Sequence, residues 1–272
     1  GTAARHGHVG NPPAAYAIPR IQSAGVVRIA GPFLSAEQNA SATESERRFD
    51  RFQREFVTRL TRNWNVGVEL ISAASVDAAR MVADGSADMA VGLTPDWNLA
   101  GQVDFTMPYL VHGLRLMVKA DSQVYGFEEL RGGGTVATVF NEPASAAAAV
   151  DAAEAATARI DGFQTDESSL ALQILDDLNA DVAFADVFKL MPHLEAYPTL
   201  LRLTDEWYSQ DYVAAAVPLN DADFRLLVDY SIQALVTDGT LKILWSSLLP
   251  PDDAPQLEVY PGPTEFLGFD LN

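Results

Sequence analysis

The chain has no cysteine in 272 residues, which excludes disulfides, thiolate metal sites and cysteine nucleophiles. No apolar run approaches the roughly 20 residues that a membrane-spanning helix needs. Positive charge is scarce: 18 Lys and Arg face 37 Asp and Glu, giving a formal charge of −19. A surface of that sign repels nucleic acid and anionic lipid, so neither is expected as a partner. Only 4 histidines occur. His6 and His8 lie in an Ala-, Gly- and Pro-rich stretch without other ligand types nearby, and no metal or cofactor is expected. No Gly-x-Ser-x-Gly elbow is present to carry a serine nucleophile.

What is present is material for a large core. Apolar residues make up 48 % of the chain, and its length exceeds one typical domain and suits two lobes. One short phrase occurs twice. Residues 87–91 read Ala-Asp-Met-Ala-Val and residues 180–184 read Ala-Asp-Val-Ala-Phe. Each follows a helix-like run (Val76–Ala83, then Ser168–Leu178) and a tight turn. A helix, a turn and a buried strand form half of a βαβ unit. Its repetition predicts two similar α/β lobes, each ending a strand where a ligand can sit.

Other elements follow from periodicity. Strands are expected at Val26–Ala30, Val66–Ile71, Met89–Gly92, Leu114–Val118, Thr135–Phe140, Ile160–Phe163, Val182–Ala185 and Val213–Val217. Phe49, Phe52, Phe56 and Leu60 recur at helical spacing in a helix from about Glu46 to Asn63, capped by Thr43 or Ser45. Ser75 is expected to cap Val76–Ala83; Ala144–Ala158, Glu167–Asp177, Asp223–Thr237 and Thr240–Leu248 complete the helices. Such alternation implies an α/β fold with mostly parallel sheets. Residues 1–19 read as a flexible leader, and the Pro-rich acidic segment 250–272 as a tail lying on the surface.

Several segments, in order, resemble the bacterial family 3 solute-binding proteins, the amino-acid-type receptors of ABC importers. They are Ile21–Ile29, Phe49-Asp50-Arg51-Phe52, Asp84-Gly85-Ser86-Ala87-Asp88, Gln102–Tyr109, Gly126–Gly132, Asp181–Asp186 and Asp238-Gly239-Thr240-Leu241. The resemblance implies the two-lobe clamshell of type II periplasmic binding proteins with two hinge strands. Lobe one would be 20–117 plus 214–249 and lobe two 118–213, with crossings near Val118 and Val213. It further implies a small polar ligand between the lobes, a membrane permease as partner, a monomer, and an extracytoplasmic location, periplasmic or at the cell surface, with lipid anchoring through a removed N-terminus as one form. A sensor input domain and a dehydratase-type enzyme are the other uses of this fold to weigh.

In the family a Gly-x-Ser/Thr turn is followed five residues later by an Arg that grips the ligand carboxylate; a guanidinium matches a carboxylate bidentately. Here the turn is Gly92-Leu93-Thr94 and the later residue is Leu99, with no Arg between Arg80 and Arg115. Thr94 offers a hydroxyl. Asp96 and Trp97 share its loop, and Trp97 is either a wall for the ligand or packed on its own lobe. Phe33 resembles the aromatic that covers the ligand, with a core role as the alternative. Asp186 matches the carboxylate that takes the ligand amine, or else caps the helix after it. Asn141, Glu142 and Ser145 stand where the family keeps Gly-Ser/Thr. His112 and His193 are placed outside the cleft. A cleft with Asp96, Glu142 and Asp186 and without the Arg suits a cationic or amine-bearing ligand.

Overall fold

The computed structural model describes residues 16–32, 39–130, 133–140, 160–176, 179–257, 259 and 262–271. The expected helix Ala144–Ala158 lies outside them.

Two five-stranded sheets carry the chain. The first holds β1 (Val26–Gly31), β2 (Gly67–Ser72), β3 (Met89–Leu93), β4 (Val103–His112) and β10 (Asp211–Pro218), in the order β2-β1-β3-β10-β4. The second holds β5 (Leu114–Lys119), β6 (Gly134–Val139), β7 (Ile160–Thr165), β8 (Val182–Asp186) and β9 (Leu201–Leu203), in the order β7-β6-β8-β5-β9. β1 pairs in parallel with β2 and β3, as β6 does with β7 and β8. β10 runs antiparallel to β3 and β4, and β5 antiparallel to β8 and β9. The sheets are therefore mixed rather than mostly parallel, because the strands linking the two lobes enter against the βαβ direction.

The repeated phrase marks β3 and β8, the same place in each sheet. Asp88 N–H donates to the Arg28 carbonyl, and its carboxylate accepts the Arg28 N–H at 2.7 Å. Asp181 N–H donates to the Thr135 carbonyl, and its carboxylate accepts the Thr135 N–H at 2.9 Å. Each Asp thus clamps the first parallel strand of its lobe to the third.

The helices are α1 (Ala17–Ala24), α2 (Glu44–Leu60), α3 (Ser75–Asp84), α4 (Leu170–Leu175), α5 (Val187–Ala196), α6 (Ala222–Thr237) and α7 (Thr240–Trp245). Thr43 and Glu46 form a full capping box on α2, whose Phe52 and Phe56 stack with Tyr109 of β4 in the core of lobe one. Ser75 is the first residue of α3 and not its cap; Ala74 takes the cap position without a side-chain bond. α1 occupies the end of the expected leader. Ile18 and Ile21 are buried, the Asp221 carboxylate accepts the Ala17 N–H at 2.8 Å, and Gly25 ends the helix at φ 69°.

The segment after α7 is not confined to the surface. A two-stranded hairpin, β11 (Glu265–Phe266) and β12 (Phe269–Asp270), turns through Leu267 and Gly268, both at positive φ. It buries Phe269 and Leu271 in the lobe-one core, with Phe269 edge-on to Trp64. The same segment reaches the start of lobe two, where Asp253 pairs with buried Arg115 at 2.9 Å and the guanidinium lies over Trp207. Aromatic and apolar residues spaced among the prolines were the only signal for this.

The lobe change falls at Gly113 between β4 and β5, and the return runs through 204–210 into β10. These crossings lie earlier than Val118 and Val213, because β5 and the start of β10 already belong to their destination sheets. The crossings touch. A Cβ on Gly113 would sit 2.0 Å from the Ser209 carbonyl oxygen, so only glycine fits. Leu114 N–H donates to Ser209 Oγ at 2.9 Å, and Val187 N–H to the Gly113 carbonyl at 2.9 Å.

Candidate functional site

The loop expected to face the ligand begins with a bulge. Gly92, in β3, has φ 75°, and the pairing register with β10 shifts between Ala90 and Leu93. Its N–H donates to the hydroxyl of Tyr109 at 2.8 Å, and that hydroxyl donates to Gln53 Oε1 at 2.9 Å. Burial pushes the Tyr109 phenol far up, so it stays protonated and serves as a fixed donor and acceptor behind the bulge.

Beyond the bulge, Thr94, Asp96 and Trp97 are exposed. Asp96 accepts the Asn98 N–H at 2.9 Å, which shapes the loop as an Asx turn. Trp97 is 93 % exposed, so it does not pack on its own lobe. Leu99 packs against the small cluster of Ala78, Val82, Leu93 and Val103. The position expected to carry an Arg therefore holds a partly buried aliphatic side chain at the edge of the lobe-one core.

Asp186 ends β8 and is buried with both oxygens engaged. Oδ1 accepts the Phe188 N–H at 3.0 Å as the N-cap of α5, and Oδ2 lies 2.6 Å from His112 Nδ1. The cap role expected as an alternative is present. The histidine partner was missed: His112 was placed away from the cleft, but it is the last residue of β4 and its ring stacks on Phe188 at 4.4 Å. Its signal in the sequence was its position one residue before the lobe-changing glycine. Phe33, Asn141, Glu142 and Ser145 lie outside the described residues.

The lobes meet along α2 and α5. Phe49 packs on Phe188 at 5.7 Å, Arg48 pairs with Glu195 at 2.6 Å, and Val187 sits within the lobe-one core. A cavity of about 400 Å³ opens between the start of α2 and lobe two, lined by Thr43, Arg47, Asp166, Glu167, Lys189 and His193 among others. Burial pushes the Glu167 carboxyl up, opposed in part by the Ser45 and Thr43 hydroxyls. Burial pushes His193 down, while its Nε2 lies 2.7 Å from the Glu167 carbonyl. None of these cavity residues was singled out as a ligand contact from sequence. They belong to helix ends whose facing across the lobes only the fold reveals.

A second cavity, of about 710 Å³, lies between α6 and the C-terminal segment and is remote from these residues in the fold. No described helix is long and apolar enough to cross a membrane.

Comparison with known proteins agrees with this architecture. The unliganded open L-cystine solute receptor of Neisseria gonorrhoeae superposes with a TM-score of 0.67 at 20 % identity, covering 88 % of this chain and 99 % of that one. An ancestral cationic amino acid solute-binding protein, AncCDT-1, gives 0.65 at 21 %, covering 85 % and 99 %. A second structure of AncCDT-1, described as a precursor of cyclohexadienyl dehydratase, gives 0.51 at 20 %, covering 85 % and 99 %. At these identities the likeness concerns the fold. No curated protein matched the chain. The family model of bacterial extracellular solute-binding proteins, family 3, matches residues 42–247. With three quarters of its length matched by that model, the chain belongs to family 3 of the bacterial extracellular solute-binding proteins.

Proposed function

We propose that the protein is the extracytoplasmic receptor of an ABC importer and holds a small cationic or amine-bearing solute between its lobes. The observation that carries this reading is Leu99. Beyond the bulge at Gly92, the position where the resemblance would put a carboxylate-gripping Arg holds a partly buried aliphatic side chain packed against the lobe-one core. Negative groups remain at Asp96 and Asp186, and the Trp97 indole is presented to solvent in the same loop as Asp96. An indole face attracts a cation, and Asp186 keeps lone pairs beyond those used by Phe188 and His112. Phe33, Thr94, Asn141, Glu142 and Ser145 complete the proposed contacts. Lobe one is assigned the residues up to Gly113 together with the chain from β10 onward, and lobe two the residues from β5 to β9, with the hinge between them acting by domain closure.

We read the site as binding without turnover, and its bound partner in the cell as the permease that accepts the closed form. The protein is taken as a monomer. The test is a thermal-shift screen over polyamines, amino acids and short peptides, followed by calorimetry. A ligand at a hundred times its dissociation constant adds about 2.7 kcal/mol of stability. Trp97→Ala should weaken binding of such a ligand while leaving the empty protein within about 0.5 kcal/mol of the parent. Recovery of the ligand unchanged after incubation supports a receptor; conversion of it would mean an enzyme. Failure of every cationic compound, with a neutral or acidic one binding, would overturn the ligand class.

A further inference from the structure

His112, Asp186 and Asp211 bring one imidazole nitrogen and two carboxylates together, with the ligating atoms all within 4.8 Å of one another. They come from three elements. His112 ends β4, the first crossing strand; Asp211 begins β10, the second, and is its register partner; Asp186 caps α5 of lobe two. The ring is oriented by its stack on Phe188. Among the described residues, the Asp211 carboxylate has no hydrogen-bond or ion-pair partner, although it is half-buried beside a second carboxylate. Two carboxylates this close to a single nitrogen leave negative charge in excess at the pivot, and a cation relieves it.

We propose that this cluster binds a divalent transition-metal ion, of which Zn²⁺ and Mn²⁺ are the representatives to test. One nitrogen and two carboxylate ligands form a mixed set that suits such ions better than Mg²⁺ or Ca²⁺, which take oxygen ligands almost alone. Ligand bonds of about 2.0–2.2 Å put donors on one ion roughly 3.3 Å apart. That spacing lies between the 2.6 Å of His112 and Asp186 and the 4.8 Å within which all three ligating atoms fall. Three protein ligands leave a position for water or for a donor atom of a solute. An ion here ties both crossing strands to the first turn of α5, so it holds the hinge at one angle. This goes beyond the receptor reading and does not rest on it, since the ion is assayed without any organic solute.

The experiment uses the full chain carrying His6→Ala and His8→Ala, which removes the other adjacent histidines, after stripping with a chelator. Calorimetric titration with Zn²⁺ and with Mn²⁺ should show one saturable site. Asp211→Asn should weaken it at least about tenfold, the loss that even an outer-shell change produces, with the melting temperature in chelator unchanged. His112→Ala should abolish it; if that variant does not fold, Asp211→Asn alone decides. No saturable binding of either metal would overturn the proposal. Equal affinity in the parent and in Asp211→Asn would do the same.

Discussion

The two lobes repeat one plan, and the residue that repeats most faithfully is used at different depths. Asp88 and Asp181 make the same pair of backbone hydrogen bonds to the first strand of their sheets. Asp88 is 1 % exposed and also pairs with Arg20 at 2.6 Å and Arg28 at 3.1 Å. Asp181 is exposed, and among the described residues its carboxylate accepts the Thr135 N–H alone. The shared part is dictated by topology: a third strand entering after a tight turn needs an acceptor for the first strand's free N–H. The added arginines belong to lobe one, where α1 closes over that end of the sheet. Sequence repetition here records a local backbone solution, the same clamp between the first and third strands of each sheet.

This difference is open to direct test. The largest effect should come from Asp88→Ala. It removes the carboxylate shared by two guanidinium groups and a strand N–H, at about 3 kcal/mol, the lower end for breaking a buried pair because both arginines keep some solvent contact and Arg28 keeps the Gly85 and Ser86 carbonyls. Denaturant unfolding measures it. Gly113→Ala comes next, at about 2 kcal/mol, since the added methyl must push the Ser209 backbone away. It should act on the hinge and leave each sheet intact, seen as a change in the solution scattering radius larger than either Asp variant gives. Asp181→Ala should cost about 1 kcal/mol, a single hydrogen bond from an exposed carboxylate. Equal costs for the two Asp variants would dissolve the comparison.

The smallest effect concerns the meeting line of the lobes. The Glu167 carboxyl is raised by burial, so its ionised form opposes folding. That cost is absent below the ordinary glutamate range near about 4.3 and complete above the raised folded value. Glu167→Gln should therefore raise the melting temperature at pH 7 and do so much less at pH 4. The same gain at both values would show that ionisation is not the cause.

Much of the fold was legible because the signals were local. The cap at Thr43 and the Phe49–Leu60 spacing each depend on a few neighbouring residues. What escaped depended on partners far along the chain. α1 looked like leader because its charge cap, Asp221, lies in another element. The C-terminal hairpin was hidden by prolines and acids around it, and its buried Phe269 finds its place only against Trp64. The site was partly legible. The Gly92 turn, Trp97 and Asp186 were singled out by type and spacing, while the exposure of Trp97 and the capping by Asp186 each stood as one of two alternatives. His112 was not, since its place beside Gly113 marks the lobe change but not that β4 delivers it to the end of β8.

The most direct test of the central claim, that Leu99 has removed the carboxylate anchor, is calorimetry of the wild-type protein with glutamate beside a polyamine. Losing a charge-assisted pair, at roughly 1.5–3 kcal/mol for each hydrogen bond, should leave glutamate weaker than the polyamine by tenfold or more. Submicromolar binding of glutamate would contradict the account and point to Thr94 and backbone N–H groups as a replacement anchor.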